Sequence, residues 1–180
     1  MKTFNFKLFI YLPLILLLAI ILLLFAVYKQ AANLEDGYFE TVRNDLAARD
    51  FLMSDTVAGY IRTGEFDKLR AYCRKISGKM DTRVTVIDSK GKILAESEND
   101  PHFMENHLER PEVASALDGK AAGATRYSST LGTYMSYYAI PVVVDGKTYC
   151  VRTAVGAARL GVLLKQAFRT ILLAGIIGAL

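Results

Sequence analysis

The chain has 180 residues, of which 52% are hydrophobic, and a formal net charge of +4 at pH 7. The net charge falls to +1 once Lys2, Lys7 and Lys29, which flank the first apolar run, are set aside. Most of the excess positive charge therefore lies beside the apolar run, as it does at the ends of membrane spans. It gives no support for a nucleic-acid-binding surface, which needs clustered basic residues on one face. The sequence contains no P-loop, G-x-G-x-x-G or Ser/His/Asp set, so it offers no argument for catalysis within these residues.

The N-terminal stretch predicts a short cytoplasmic tail (residues 1–7) followed by a transmembrane helix (residues 8–28). Residues 8–28 carry no charge and match the ~20 residues that cross a hydrocarbon core of ~30 Å. A cleaved signal peptide is the alternative, but this apolar run is longer than usual and no A-x-A site follows it. Lys2 and Lys7 favour a cytoplasmic N-terminus, which places the middle of the chain outside the membrane.

Residues 29–80 predict a helical stalk made of two amphipathic helices. In the first helix, apolar residues recur at spacings of four and seven: Leu34, Tyr38, Val42, Leu46, Met53, Val57 and Ile61. This stripe indicates a long helix, continuous with the membrane span, that packs on its own domain. Use of the same stripe as a dimer seam is a second hypothesis. Thr63-Gly64 is expected to end the first helix and Ser77-Gly78 to end the second.

Residues 81–156 predict a five-stranded antiparallel sheet. A hairpin at Arg83–Glu98 turns at Gly91, and Pro111 begins a short helix. The remaining strands are expected at Ala124–Leu131, Thr133–Val144 and Tyr149–Val155, the last two joined by an Asp145-Gly146 turn. Because helices precede strands without βαβ alternation, the predicted class is an α+β sandwich.

The C-terminal residues predict an exit helix (157–169) and the start of a second transmembrane helix (170–180). Eleven residues of helix rise only about 16 Å, roughly half a bilayer. We therefore expect the second span to be cut at Leu180 and an output region to follow it.

Four segments in order support a family resemblance: VIDSKGKILAESENDP, MENHLERPEVASALDG, TRYSSTLG and YYAIPV. Together they resemble the extracytoplasmic sensor region of bacterial sensor histidine kinases of the phosphate-regulon (PhoR-like) type, from Asp81 to about Val144. The resemblance implies a PAS-like fold related to PDC and Cache domains. It also implies a homodimer that spans the bacterial inner (cytoplasmic) membrane more than once.

The same resemblance implies a cytoplasmic kinase beyond Leu180. That kinase would use ATP and Mg²⁺, autophosphorylate on histidine and pass the phosphoryl group to a response regulator, whereas the 180 residues themselves are non-catalytic. His107 stands in HLERP, whose order differs from the phosphoacceptor pattern H-E-x-R-T-P, and is not expected to be phosphorylated. Two alternatives stay open: the same sensor on a chemoreceptor or cyclic-dinucleotide enzyme, or a membrane-tethered interaction module without enzymatic output.

Basic and aromatic residues of the later strands form the candidate ligand pocket: Arg126, Tyr127, Tyr134, Tyr138 and Arg152, with Tyr137 in the same cluster. Arginine and tyrosine hydroxyls suit a carboxylate or another anion. Tyrosine is also common in the core and edge strands of sheets, which is the alternative interpretation.

An acidic stretch forms the second candidate site: Glu96, Glu98, Asp100, Glu105 and Glu109. Its oxygens could hold divalent cations or bridge to anionic lipid, but no Ca²⁺-loop spacing is present, and a solvated acidic face is the alternative. His102 and His107 are five residues apart and are not expected to share a metal. Cys73 and Cys150 are either disulfide-bonded or buried free thiols.

Overall fold

The structure, a computed structural model, describes residues 6–128, 132–157 and 169–170. The described elements are three α-helices and five β-strands. The helices are α1 (Phe6–Thr63), α2 (Phe66–Met80) and α3 (Pro111–Leu117), and a 3₁₀ turn spans Pro101–Phe103. The strands are β1 (Arg83–Ile87), β2 (Ile93–Glu96), β3 (Ala122–Ser128), β4 (Thr133–Val144) and β5 (Lys147–Gly156).

The chain divides into two compact units, one formed by Phe39–Ala158 and the other by Met1–Tyr38 with Arg159–Leu180. In the second unit, Tyr11–Gln30 is helical and is long and apolar enough to cross a membrane, by length and composition. The predicted exit helix and second span lie outside the described residues, except for Ala157 and the helical residues Arg169 and Thr170.

The unit formed by Phe39–Ala158 contains the sheet, whose strand order is β2-β1-β5-β4-β3 with antiparallel neighbours throughout. Two tight turns set its hairpins. Asp145 and Gly146 both take positive φ, as a two-residue hairpin turn requires. In the β1–β2 loop, Gly91 has a φ of +79°, and Asp88 Oδ1 accepts hydrogen bonds from the backbone N–H groups of Lys90 and Lys92 at 2.8 and 2.9 Å.

Alternation along the strands gives the sheet two different faces. One face packs against α1 and α2, where the core includes Met53, Val57, Leu69, Cys73, Val84, Val86 and Val151. Each fully buried aliphatic side chain contributes about 1.5–3 kcal/mol to stability. The other face packs against α3, where Ile87, Ile93 and Cys150 meet Val113 and Ala116.

The predicted α+β class and its antiparallel five-stranded sheet are confirmed. So are the helix at Pro111–Leu117 and the strand at Thr133–Val144. The predicted end of the second helix is wrong: α2 continues through Gly78 to Met80, and Asp81 ends it in the left-handed conformation with a φ of +47°. β3 begins at Ala122, two residues earlier than predicted, and residues 129–131 lie outside the described residues.

Candidate functional site

Three strands and the segment before α3 send basic side chains into one small cavity on the α3 face of the sheet. We call it the arginine pocket. It has a volume of about 30 Å³, enough for one or two water-sized groups. Its lining consists of Arg83, Arg110, Arg126 and Arg152 together with Met104, His107, Ser128 and Tyr137.

The strand register explains why these side chains converge. Arg152 on β5 is paired with Thr85 on β1 and with Ala139 on β4, so all three share a face. Arg83 is likewise paired with Ala154, which is in turn paired with Tyr137. The small, buried alanines leave room above the sheet for the long arginine side chains and the Tyr137 ring.

Glu112, in the first turn of α3, is the carboxylate that faces two of these arginines. Its Oε1 accepts hydrogen bonds from Arg126 Nη2 at 3.1 Å and from Arg152 Nη1 at 3.3 Å. Glu112 is 0% exposed and Arg152 is 3% exposed. Both guanidinium groups also lie over the ring of Tyr137, at 4.2 Å (Arg126) and 5.1 Å (Arg152) from its centroid. The aromatic face offers each cation a second favourable contact.

Arg83 is neutralised separately by Glu96. Its Nε donates to Glu96 Oε1 at 2.8 Å, and both side chains are buried. Glu96 Oε2 accepts from the backbone N–H groups of Glu98, at 3.0 Å, and Asn99. Glu96 is therefore occupied at both oxygens by structural contacts.

His107 closes one side of the arginine pocket as a neutral group. Its backbone N–H donates to Gly91 O at 2.9 Å, and Asn106 Nδ2 donates to Lys90 O at 2.8 Å, so the β1–β2 loop holds this segment in place. Burial, and then the positive charges of the surrounding arginines, lower the pKa of His107 to about 3. The imidazole adds a polar group to the pocket without adding charge at neutral pH.

The charge balance of the arginine pocket favours an anion. Four arginines line it, whereas the carboxylates near them among the described residues are Glu96, Glu112 and, 3.8 Å from Arg83, Glu98. Within the described part of the chain, Arg126 Nε and Arg152 Nε are buried donors without hydrogen-bond partners. Buried donors are costly when unpaired, so a small anion that accepts from them would be stabilised.

The structure brings together only part of the predicted ligand pocket. Arg126 and Arg152 meet, but Tyr127, Tyr134 and Tyr138 lie on the opposite face. Tyr127 is paired with Tyr134, their rings 5.6 Å apart in an edge-on contact, and both are about half exposed. Tyr138 is paired with Thr153, which is on the same face as Val84 and Val151 in the core against α1 and α2.

Sequence reasoning missed three residues of the site or assigned them elsewhere: Arg83, His107 and Glu112. Tyr137 belonged to the predicted cluster, and a signal for its face was present, because the two-residue turn at Asp145-Gly146 fixes the β4–β5 register. That register sets Arg152 opposite Ala139 and therefore on the same face as Tyr137.

The acidic candidate site is not assembled. Glu96 pairs with Arg83, and Glu98 Oε2 lies 3.8 Å from Arg83 Nε. Asp100 pairs with His102 in the 3₁₀ turn. Glu105 and Glu109 are exposed. In residues 6–128, 132–157 and 169–170, no group of three or more His, Cys, Asp or Glu side chains is placed to hold a metal ion.

The two cysteines are free and buried, so the disulfide alternative is wrong. Cys73 packs on the α1–α2 side of the sheet and Cys150 on the α3 side. Burial raises the pKa of each thiol to about 12.

Asp50 on α1 is a further buried titratable group, on the face opposite the arginine pocket. It is 0% exposed and lies against Thr153 of β5. Burial raises the pKa of Asp50 well above its usual range, outweighing the opposing effects of Thr153 and of the Arg152 charge. Arg152 and Thr153 are adjacent on β5, so one strand contacts both the pocket and α1.

Comparisons with known proteins agree on one kind of domain. A family model described as Single Cache-like matches residues 54–152. The sensor domain of the V. cholerae histidine kinase DctB has a TM-score of 0.59 and 18% identity, with 74% of this chain and 56% of that chain covered. The E. coli DcuS sensor domain has a TM-score of 0.52 and 15% identity, with coverages of 67% and 96%.

A chemoreceptor domain shares the same fold. The ligand-binding domain of Campylobacter jejuni Tlp3, in complex with 4-methylisoleucine, has a TM-score of 0.51 and 12% identity, with 77% of this chain and 62% of that chain covered. This chain thus spans less than two thirds of the DctB and Tlp3 domains. At such identities the likeness concerns the fold alone. Comparison with curated protein sequences gives no match.

Proposed function

Because this chain belongs to the single Cache-like family of sensor domains, we propose that it is the sensory part of a membrane-bound signalling protein whose stimulus is a small anion. The expected relation to Cache and PDC domains is confirmed at the level of the fold. The observation that carries the proposed stimulus is the excess of buried arginine donors in the arginine pocket over the carboxylates that face them. A carboxylate, phosphate or similar oxyanion supplies the matching acceptors.

The proposed output is a cytoplasmic histidine kinase that follows a second membrane span. This proposal is supported by the likeness to the DctB domain, which is named as the sensor domain of a histidine kinase. In this proposal the kinase binds ATP and Mg²⁺, phosphorylates itself on histidine and passes the phosphoryl group to a response regulator. The finer assignment to the phosphate-regulon type stays a prediction from the sequence.

A chemoreceptor output is the second candidate, because the Tlp3 domain has the same fold. A cyclic-dinucleotide enzyme or a tethered interaction module are further alternatives. Whether the natural gene continues beyond Leu180, and with what sequence, discriminates among them. An H-E-x-x-T-P helix with Asn- and Gly-rich ATP-binding boxes supports the kinase, and their absence contradicts it.

The proposed signal passes through β5 to α1. Arg152 lies in the arginine pocket, and the next residue, Thr153, contacts Asp50 on α1. An anion that draws Arg152 towards itself changes the position of Thr153 and favours one of two packings of α1. α1 contains the apolar stretch Tyr11–Gln30, which in this proposal is the first span of a multi-pass protein of the bacterial inner membrane with an extracytoplasmic sensor.

The proposal includes a homodimer formed along α1. Phe51 and Leu52 are adjacent on this helix and are 74% and 71% exposed, so they offer an apolar surface to a second chain. A second copy of the chain would cover them and couple the two α1 helices. Cross-linking of single-cysteine variants at these positions, in a chain lacking Cys73 and Cys150, tests this contact.

The stimulus is tested by thermal unfolding of the whole chain in non-ionic detergent with acetate, phosphate, sulfate and zwitterionic amino acids at equal ionic strength. An anion present at 100 times its dissociation constant adds about 2.7 kcal/mol, or roughly 10 °C for a domain of this size. The Arg126→Gln variant is expected to lose the shift, while Lys147→Gln, an exposed control on β5, keeps it. The stimulus is not an anion in this pocket if none of these compounds shifts the transition, or if Arg126→Gln responds as fully as Lys147→Gln.

A further inference from the structure

Glu112 already accepts hydrogen bonds from two arginines of the arginine pocket that an incoming anion would bind. Its Oε1 accepts from both Arg126 and Arg152, which are the two arginines with buried, unpaired Nε donors among the described residues. Its Oε2 is buried and has no hydrogen-bond partner in the described part of the chain. The side chain therefore presents a carboxylate to the arginines but satisfies them only in part.

The open space next to Arg126 and Arg152 is small. The cavity of about 30 Å³ takes one or two water-sized groups, whereas acetate, one of the smallest carboxylates, has four heavy atoms. Because Glu112 Oε1 already accepts from Arg126 Nη2 and Arg152 Nη1, an anion that binds these two groups competes with the Glu112 carboxylate for the same donors.

Displacement is feasible because Glu112 belongs to a short element. α3 has seven residues, and its other buried side chains, Val113 and Ala116, hold it to the sheet through one small apolar cluster. Movement of Glu112 away from the arginines requires only this one helix to shift or its first turn to open.

We propose that Glu112 is a resident carboxylate that competes with the ligand for Arg126 and Arg152, so that it determines which anions the pocket accepts. This inference rests on the proposed function of the arginine pocket as an anion site. The Glu112 carboxylate is tethered next to the two arginines and therefore has a high effective concentration there. An accepted anion must bind the arginines well enough to displace it. Weakly binding anions are thereby excluded, and each binding event displaces α3.

Glu112→Ala tests the proposal by chemical complementation with acetate, which is the free equivalent of the carboxylate removed. Acetate binding is measured by isothermal titration calorimetry on the whole chain in non-ionic detergent, with sodium chloride at the same ionic strength as reference. If Glu112 occupies the site for nine-tenths of the time or more, its removal tightens acetate binding about ten-fold or more. Glu109→Ala, three residues away and exposed, is the matched control and is expected to bind acetate as the wild type does.

Glu112→Gln keeps the side-chain volume and replaces Glu112→Ala if the alanine variant does not fold in chloride. A further measurement needs no substitution: amide hydrogen exchange of residues 113–117 in the wild type is expected to rise when a bound anion displaces α3. The proposal is overturned if acetate binds the Glu112 variants no more tightly than it binds wild type and Glu109→Ala. It is equally overturned if an anion that binds through Arg126 leaves exchange in α3 unchanged.

The two failures can be told apart. If wild type binds an anion through Arg126 but the Glu112 variants gain nothing, the competition is disproved and the anion pocket stands. If neither the wild type nor the Glu112 variants bind any of acetate, phosphate and sulfate, the anion pocket itself is disproved.

Discussion

Replacement of Arg152 by methionine is expected to destabilise the domain more than any ordinary surface substitution. Arg152 is 3% exposed, Glu112 is 0% exposed, and the two are joined at 3.3 Å. Arg152 Nη2 also donates to Thr85 Oγ1 at 3.2 Å. Removal of one member of a buried ion pair costs about 3–5 kcal/mol, because the other charge stays buried without its partner. Since Arg126 still donates to Glu112, we expect the lower end, about 3 kcal/mol.

The assay is equilibrium unfolding of the whole chain by urea in non-ionic detergent, followed by circular dichroism. Lys147→Met is the control, because it removes a positive charge from an exposed position on the same strand and is expected to stay within about 0.5 kcal/mol of wild type. Glu112→Gln and the double variant complete a thermodynamic cycle. The two single costs are expected to exceed the cost of the double variant by about 1–3 kcal/mol.

Two results would refute this reasoning. One is an Arg152→Met variant as stable as Lys147→Met, which would mean that Arg152 is not held in a buried pair. The other is a double variant whose cost equals the sum of the single costs within about 0.5 kcal/mol, which would mean that Glu112 and Arg152 act independently.

Three other substitutions give distinct outcomes. The pKa of Asp50 is raised in the folded state, so its contribution to stability is present below the unfolded pKa of ~3.9 and is lost as pH rises towards the folded value. Urea unfolding should therefore show that the free energy of unfolding of Asp50→Asn increases relative to that of wild type with increasing pH. The pKa of His107 falls from 6.5 to about 3 on folding, so its contribution to the free energy of unfolding is lost as pH falls between these values. The free energy of unfolding of His107→Gln should therefore decline less than that of wild type over this range, and equal declines would contradict this. Gly91→Ala combines a φ of +79° with a collision between the new Cβ and Asn106, whereas Gly119→Ala has a φ of +85° and open space around the new Cβ. Thermal unfolding should show that Gly91→Ala loses about 1–3 kcal/mol more stability than Gly119→Ala, and equal losses of stability would contradict the collision.

Much of the fold could be predicted from local chemistry. Pro111 marks the start of α3 where its missing N–H costs nothing, and Asp145-Gly146 supplies the two positive φ values of a tight hairpin. The end of α2 could not be predicted from Gly78, because helix termination there depends on Asp81 adopting a left-handed conformation at the entry to β1.

The candidate site was harder to predict because its parts come from separate segments. Arg83 lies on β1 and reaches Arg152 through the β1–β5 pairing. His107 and Glu112 lie on the loop before α3 and on α3, and only the packing of these segments against the sheet joins them to Arg126 and Arg152. The misplaced tyrosines have a different cause, because strand alternation alone places them on the other face. Tyr127 follows Arg126 directly on β3, and the register set by Asp145-Gly146 pairs Tyr138 with Thr153 and not with Arg152.

The sheet order has a consequence for how the domain is made. β1 and β2 form one hairpin and β3, β4 and β5 a second group, and the pairing of β1 with β5 joins them across 67 residues of chain, from Thr85 to Arg152. During synthesis, β1 has no partner on one edge until β5 has been made, so the backbone N–H and C=O groups of that edge stay unpaired and open to association with other chains. A chain interrupted between residues 97 and 146 would keep the first hairpin but lose the strand that covers it. Such fragments are expected to aggregate or be degraded, and the completion of β5 is the event that commits the domain to its folded state.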